Sequence, residues 1–369
     1  MTVSGRTIRV LVVDDSALMR KLIPQLLERD SSIHVVGTAM DGEFALKKIS
    51  ELHPDVITLD LEMPRMDGIE TLRKMVHHQV PVVVVSSHSR EGASSTFKAL
   101  HMGAFDFVAK PENVLGENMG EIAAELIQKI KAAGMSNPLY RTLPKPSGTA
   151  QMKIHRAVPG PASRVVAIGI STGGPNSLEY MLSHLPAEFP ASILVVQHMP
   201  PGFTETFARR LNEHCALEVK EAQSGDLLGA GRVLVCPGDR HMRVRRMPLG
   251  DVVVLSDDVK VNGHRPSVDV LFRSVAEEFG PDSVGLLMTG MGEDGAEGMG
   301  ELKASGALTI AQDEASSVVF GMPRAAIERG FATRVVSLES LSNTLIAQCG
   351  LHRPLPSRES FPVRSAGQL

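Results

Sequence analysis

Short β-branched runs that end in polar or glycine-rich residues, each separated from the next by a longer amphipathic stretch, recur along most of this chain. IRVLVV, IHVVGTA, VITLD, VPVVVVSS and FDFVAK make one such series between Arg6 and Ala133. A run that is apolar at nearly every position reads as a strand covered on both faces, and strands that alternate with helices are joined by crossovers that make them parallel. The first series therefore predicts a doubly wound α/β domain of five parallel strands over residues 6–133.

A second series starts at Arg164: RVVAIGI, SILVVQ, RVLVC, VGLLMTG, ALTIAQ and RVVSL read as strands, with helical patterns such as SLEYMLSHL and SVDVLFRSVAEEF between some of them. This predicts a second, mostly parallel α/β domain over residues 164–349. One stretch departs from the parallel scheme, because in MRVRRMPLGDVVVLSD two alternating runs flank a Pro-Leu-Gly-Asp turn, the signature of an antiparallel hairpin. Between the two series, residues 134–163 lose periodicity and collect prolines at 138, 144, 146, 159 and 161. We read them as a linker, with basic character from Lys145, Lys153, Arg156 and Arg164. The proline-rich residues 350–369 read as a disordered tail.

With 369 residues the chain is long enough for two cores. The net charge of −4 offers no general polycation for a phosphate backbone, and the second half has no helix-turn-helix pattern with a basic recognition helix, so nucleic acid is not an expected partner. Cys215, Cys236 and Cys349 are an odd number without CxxC or CxxH pairing; they are expected to be small core hydrophobes in a reducing compartment. The N-terminal run Val10–Val13 stops at two aspartates, too short for a signal segment, and no stretch approaches 18 apolar residues. A cytoplasmic protein that is not inserted in a membrane is the expectation.

In open parallel sheets ligands collect outside the carboxyl ends of the strands. In the first half those ends carry Asp14 and Asp15 after the first strand, Asp60 on the third, Ser86 on the fourth and Lys110 on the fifth. Converging carboxylates suit Mg²⁺, and a lysine and a hydroxyl beside them suit a phosphoryl group. Each residue alone has a plainer reading, since aspartates cap helices and serines sit in turns. Taken together, LVVDDS, LDLEMPRMDG, VVSS and AKP resemble the receiver domains of two-component systems. That resemblance implies a flavodoxin-like fold in which Asp60 accepts phosphate from a histidine kinase, Asp14, Asp15 and Asp60 hold Mg²⁺, and Ser86 and Lys110 bind the phosphoryl group.

In the second half, AIGISTGGP places Ser171 in a G-x-S-x-G sequence between a predicted strand and a predicted helix, the setting of a nucleophile turn. Glycines and hydroxyls before a helix also suit a nucleotide phosphate. A dinucleotide site wants an acid at the end of the next strand, whereas SILVVQHMP ends in Gln197 and His198. A serine needs a base and a group that orients the base. Of the 13 histidines, His198 ranks first because it ends the neighbouring strand; His241 and His264, both read as loop residues, come next, and His184 and His214 read as surface. MTGMGEDGAEGMG supplies the carboxylate, Asp294 rather than a solvent-facing Glu293, although Asp294 could also simply cap a helix. Backbone N–H groups of this glycine-rich loop are candidates for an oxyanion hole.

The order Ser171, His198, Asp294 differs from that of the α/β-hydrolases. GISTGGP, VQHMPPGFT, HRPSVDVLF and MTGMGEDGA, behind a receiver, closely resemble the CheB family of chemotaxis methylesterases over residues 7 to 348. The resemblance implies a Ser171–His198–Asp294 triad, with Thr172 beside it and Met291 in the oxyanion region. Arg265 and Asp269 are further candidates, equally accounted for by capping and ion pairing. It further implies demethylation of glutamate methyl esters, and deamidation of glutamines, on methyl-accepting chemotaxis proteins, without a cofactor for the esterase step and under control of a CheA-type kinase. A paralogous signalling hydrolase, or a partner-binding response regulator outside flagellar chemotaxis, is the alternative.

Overall fold

The β-branched runs form two parallel sheets. The computed structural model describes residues 7–87, 89–110, 119–136, 160 and 162–350, so Arg6, Pro111, most of the expected linker and the tail from 351 onward lie outside the described residues. In the N-terminal half, β1 (Ile8–Val13), β2 (Ile33–Ala39), β3 (Val56–Asp60), β4 (Val82–Ser86) and β5 (Asp106–Ala109) alternate with α1 (Ala17–Leu27), α2 (Gly42–Leu52), α3 (Gly68–Lys74), α4 (Arg90–His101) and α5 (Met119–Met135). The sheet order is β2-β1-β3-β4-β5, all pairs parallel. Leu11 and Val13 pack into one apolar layer and Val10 and Val12 into another, so β1 is covered on both faces and needs no polar alternation. Helix α5 runs to Met135, past the point where the periodicity was expected to stop.

The C-terminal half comprises β6 (Arg164–Ile170), α6 (Gly174–Ser183), β7 (Ala191–Gln197), α7 (Phe203–His214), β8 (Glu218–Glu221), β9 (Arg232–Val235), β10 (His241–Arg245), β11 (Val252–Ser256), α8 (Val268–Phe279), β12 (Ser283–Leu287), α9 (Ala296–Ala304), β13 (Leu308–Gln312), α10 (Met322–Glu328), β14 (Arg334–Val336) and α11 (Leu338–Cys349). Its seven-stranded sheet has the order β14-β13-β12-β6-β7-β9-β8, and β10 and β11 form the expected antiparallel pair. The sequence reading missed β8. Its residues EVKE are polar because β8 is an edge strand, paired only with β9, and edge strands carry charge rather than apolar runs. Strand β6 lies in the middle, paired with β12 and β7, and the chain leaves it on one side first and the other later. That reversal is the topological switch point where open α/β sheets form crevices. The three cysteines are free and buried.

The halves share one apolar layer. Phe97 of α4 stacks on Phe207 of α7 at 5.4 Å between ring centroids, and Phe107 of β5 stacks on Phe203 at 4.8 Å. Polar contacts also join the halves: Asn176 Nδ2 of α6 donates to Leu100 O at 2.9 Å, Arg90 pairs with Glu205 at 3.3 Å, and Lys260 with Glu121 at 2.7 Å.

Close packing around β6 sets the position of α8. A Cβ on Gly169 would stand 2.2 Å from Val268 Cγ1 at the start of α8 and 2.9 Å from Leu287 Cδ1. Gly169→Ala is therefore expected to destabilise the fold by about 1–3 kcal/mol, because the added methyl must displace helix or strand. Urea denaturation measures this, and an unchanged midpoint would mean that α8 shifts freely.

Candidate active site

Three neighbouring strands, β12, β6 and β7, deliver Asp294, Ser171 and His198 to one end of the sheet. Ser171 directly follows β6, His198 directly follows β7, and Asp294 lies in the loop between β12 and α9. Backbone hydrogen bonds lace these loops together: Ser171 N donates to Thr289 O at 3.0 Å and His198 N to Ile170 O at 3.2 Å. Gln197 Nε2 donates to Ser171 O at 3.0 Å and to His198 O at 3.2 Å. Two glycines make the approach possible. Gly173 has φ +72° and a Cβ there would lie 2.5 Å from Val318 Cβ; a Cβ on Gly290 would lie 2.8 Å from Ser171 Cβ.

Asp294 is 2% exposed and His198 9%, and His198 Nε2 donates to Asp294 Oδ2 at 2.9 Å. Val268 N, at the start of α8, donates to the same oxygen at 2.7 Å. The other oxygen, Oδ1, accepts from Asn262 Nδ2 at 2.8 Å and Ser267 Oγ at 2.7 Å. Burial alone would raise the carboxyl pKa, but the bonds and charge of His198, with those of Asn262 and Val268, outweigh it and hold Asp294 well below the usual carboxylate range. Asp294 thus does cap a helix, but the helix is α8 rather than α9, which its own loop begins.

His198 Nδ1 is buried and makes no hydrogen bond to any described residue. With Nε2–H committed to Asp294, Nδ1 is the nitrogen that keeps a lone pair. No hydrogen bond joins it to Ser171 Oγ in this conformation, as is common before substrate is bound. The His264 ring lies parallel to that of His198, 3.9 Å between centroids and 5° between planes. Burial, then the neighbouring His198, push the His264 pKa down to about 4, so the stacked partner is neutral near neutral pH.

Other candidates fall into clear places. His241 is not in a loop: it opens β10, fully buried, where its Nε2 donates to Val259 O at 3.0 Å and its Nδ1 accepts from Ser267 N at 3.2 Å. Thr172 is buried next to Ser171, and its carbonyl accepts from Thr289 Oγ1 at 3.0 Å. Met291 lines a cavity of about 460 Å³ with Phe320, Gly321 and Arg324, while Glu293 pairs with Arg329 at the surface. Arg265 pairs with Asp239 at 2.7 Å, and Asp269 accepts from Gly298 N at 2.7 Å. Asn262 and Ser267 were missed by the sequence reading; the Asn-Gly dipeptide at 262–263 was the available signal.

The first sheet has its own polar cluster. Oxygens of Asp14, Asp15 and Asp60 lie within 4.8 Å of one another. Lys110 Nζ stands 2.7 Å from Asp60 Oδ2 and 3.0 Å from Asp14 Oδ2. Burial, with the Asp14 charge, pushes Asp60 up to about 6 even though Lys110 bonds it. For Lys110 burial works against the ammonium, yet the bonds and charges of Asp60 and Asp14 outweigh it and raise its pKa. Asp14 Oδ2 is buried, with the Lys110 ammonium as its counter-charge. Three carboxylates beside one lysine are an acidic cluster that fits a divalent cation. Ser86, buried at the end of β4, donates to Gly92 O at 3.1 Å.

The depressed Asp294 pKa has a measurable consequence. A carboxyl held lower in the folded than in the unfolded state contributes stability that is full above the unfolded value of about 3.9 and is lost as pH falls. Between about pH 6 and pH 3, Asp294→Asn is expected to lose less stability than the parent chain in urea denaturation; equal losses would remove the assignment.

Comparison with known proteins agrees with this architecture. Residues 166–345 match the family model "CheB methylesterase" and residues 10–116 the "Response regulator receiver domain". The chain is 60% identical over 358 residues to protein-glutamate methylesterase/protein-glutamine glutaminase 2 of Koribacter versatilis, covering 94% of this chain and 97% of the relative. It is 47% identical to the protein of the same activity name from Symbiobacterium thermophilum, covering 94% and 98%. Among solved structures, the catalytic domain of Thermotoga maritima CheB methylesterase aligns with TM-score 0.50 at 40% identity, over 51% of this chain and 99% of that one. With a receiver-type sheet in front of a CheB-type catalytic sheet, and with relatives alike over nearly their whole length, the chain belongs to the protein-glutamate methylesterase/protein-glutamine glutaminase family, the CheB methylesterases.

Proposed function

We propose that this chain removes methyl groups from glutamate methyl esters, and amide groups from certain glutamines, on methyl-accepting chemotaxis receptors, with Ser171, His198 and Asp294 as the triad. The observation that carries the reading is the state of His198: one nitrogen is bound to a multiply anchored carboxylate and the other is buried without a hydrogen bond to any described residue, on the residue that follows the strand paired with that of Ser171. Ser171 attacks the ester carbonyl while His198 Nδ1 takes the hydroxyl proton, and the developing imidazolium is balanced by Asp294. Nδ1–H then protonates the methoxy oxygen as its bond to the carbonyl carbon breaks, releasing methanol, or the amide nitrogen of a glutamine, releasing ammonia. Water, deprotonated by the same nitrogen, releases the glutamate and restores the serine. Backbone N–H groups of the Met291 loop, with Thr172 alongside, are assigned to the oxyanion, where one donor is worth about 3 kcal/mol.

In the receiver, Asp60 is the assigned phosphate acceptor, with a kinase of the CheA type as donor. Asp14, Asp15 and Asp60 would hold Mg²⁺, which when bound supplies positive charge for the phosphoryl oxygens. Ser86 and Lys110 would be drawn to the phosphoryl group, so that Lys110 leaves its present carboxylate partners. Helix α4 and strand β5 carry the aromatic contacts to α7, which begins shortly after His198. The unphosphorylated receiver thereby covers the approach to the triad, and phosphorylation weakens this packing. No described helix is long and apolar enough to cross a membrane. Action on the cytoplasmic parts of receptors places the protein in the cytoplasm.

Methanol release from methylated receptor fragments tests both parts. Ser171→Ala is expected to lower turnover by about 10⁴-fold or more; equal rates would end the triad assignment. A phosphodonor is expected to raise the rate of the parent chain and not that of Asp60→Ala, and a fragment from residue 160 onward is expected to exceed the unphosphorylated full chain. A fragment no faster than the full chain would end the inhibitory reading.

A further inference from the structure

The loop between β11 and α8 contains a tight turn whose tip reaches the triad carboxylate. Val261 and His264 exchange two backbone hydrogen bonds, 3.0 and 2.9 Å, and the two residues between them, Asn262 and Gly263, have φ +53° and +78°. Two central residues with positive φ define a type I′ hairpin turn, for which Asn-Gly is the favoured pair. Turn chemistry alone therefore explains an asparagine here. It does not explain where the side chain goes.

Asn262 Nδ2 donates to Asp294 Oδ1 at 2.8 Å and to Asp269 Oδ2 at 2.8 Å. Both carboxylates are only 2% exposed and they belong to different elements, Asp269 to the first turn of α8 and Asp294 to the loop before α9. Two buried carboxylates this close repel one another, and a primary amide carries two protons, one for each. Asp269 is in turn fixed by Gly298 N at 2.7 Å and has the Arg273 guanidinium at 3.7 Å. A frame therefore runs from α9 through Asp269 and Asn262 to Asp294, and from there to His198.

We infer that Asn262 is a positioning residue for the esterase reaction, its amide dividing two protons between Asp269 and Asp294 so that Asp294 Oδ2 stays aimed at His198. The inference rests on the proposed triad. Asn262 touches neither nucleophile nor base; it acts through Asp294. Burial and the neighbouring Asp294 charge raise the pKa of Asp269, against the hydrogen bonds of Gly298 and Asn262, which favour the carboxylate. The charged or titratable groups around this frame include Asp294, Asp269, Arg273 with its partner Glu301, His264, His198, Lys260 and, from the receiver, Glu121 and Glu125.

Asn262→Gly separates turn from amide, since glycine adopts the left-handed conformation freely. In the full-length chain activated by a phosphodonor, this variant is expected to fold with a lowered thermal midpoint, because two buried carboxylates lose a donor, and to keep KM while kcat for methanol release falls about 10- to 100-fold, the scale of a misaligned catalytic group. Asn262→Asp keeps the turn preference but adds a third carboxylate beside Asp294 and Asp269. It is expected to shift the acid limb of the kcat/KM–pH profile upward by about one unit, because negative charge favours the imidazolium. Should the glycine variant fail to fold at the assay temperature, the aspartate variant decides by that limb. An Asn262→Gly chain with kcat within about twofold of the parent, or an Asn262→Asp chain with an unmoved acid limb, would overturn the inference. Asp294→Asn, run alongside, distinguishes the failures: if it too retains full activity, the triad reading fails, and if it alone loses activity, only the role of Asn262 does.

Discussion

A single buried carboxylate, Asp294, ties together the parts of the catalytic half. Its four hydrogen bonds come from a strand-end histidine, a turn asparagine, a serine and the first backbone N–H of α8. An unpaired carboxylate in such a place would cost several kcal/mol or take up a proton. Because the donors come from separate elements, the charge persists only while the β7 end, the β11–α8 loop and α8 are all in register. The geometry of the proposed triad is thus a by-product of satisfying one buried charge. The dry imidazole above it follows: with one nitrogen fixed, the ring can neither flip nor change tautomer cheaply.

The receiver solves the reverse problem at its own switch point. Asp14 and Asp60 lie together with one lysine between them, and burial keeps Asp60 from ionising easily. Where the Asp294 site closes around a charge that is complete, this one is electrostatically incomplete. One sheet holds a settled charge and the other an unsettled one, although both gather their carboxylates at the carboxyl ends of parallel strands.

Strand identity was legible because strands covered on both faces, such as β1, β6 and β7, leave unbroken apolar runs. The edge strand β8 was not, since Glu218, Lys220 and Glu221 carry no such run, and only its pairing with β9 makes it a strand. Ser171, His198 and Asp294 could be singled out because each directly follows, or lies in the loop after, a run that is itself legible. His241 was read as a loop residue because the hairpin's alternation begins at Met242 on paper, while in space the imidazole is the first paired residue, opposite Ser256. Asn262 and Ser267 escaped because their partners are 32 and 27 residues away. No local pattern encodes a donor aimed at a distant carboxylate; only the fold brings them together.

The aromatic contact between the halves has a consequence for behaviour in solution. Phe97, Phe107, Phe203 and Phe207 are almost wholly covered while the halves are together. Any state in which they part gives water an apolar patch on the order of several hundred Å². Such a state would be colloidally less stable than the closed one, because an exposed aromatic patch offers itself to any apolar surface, a second copy included.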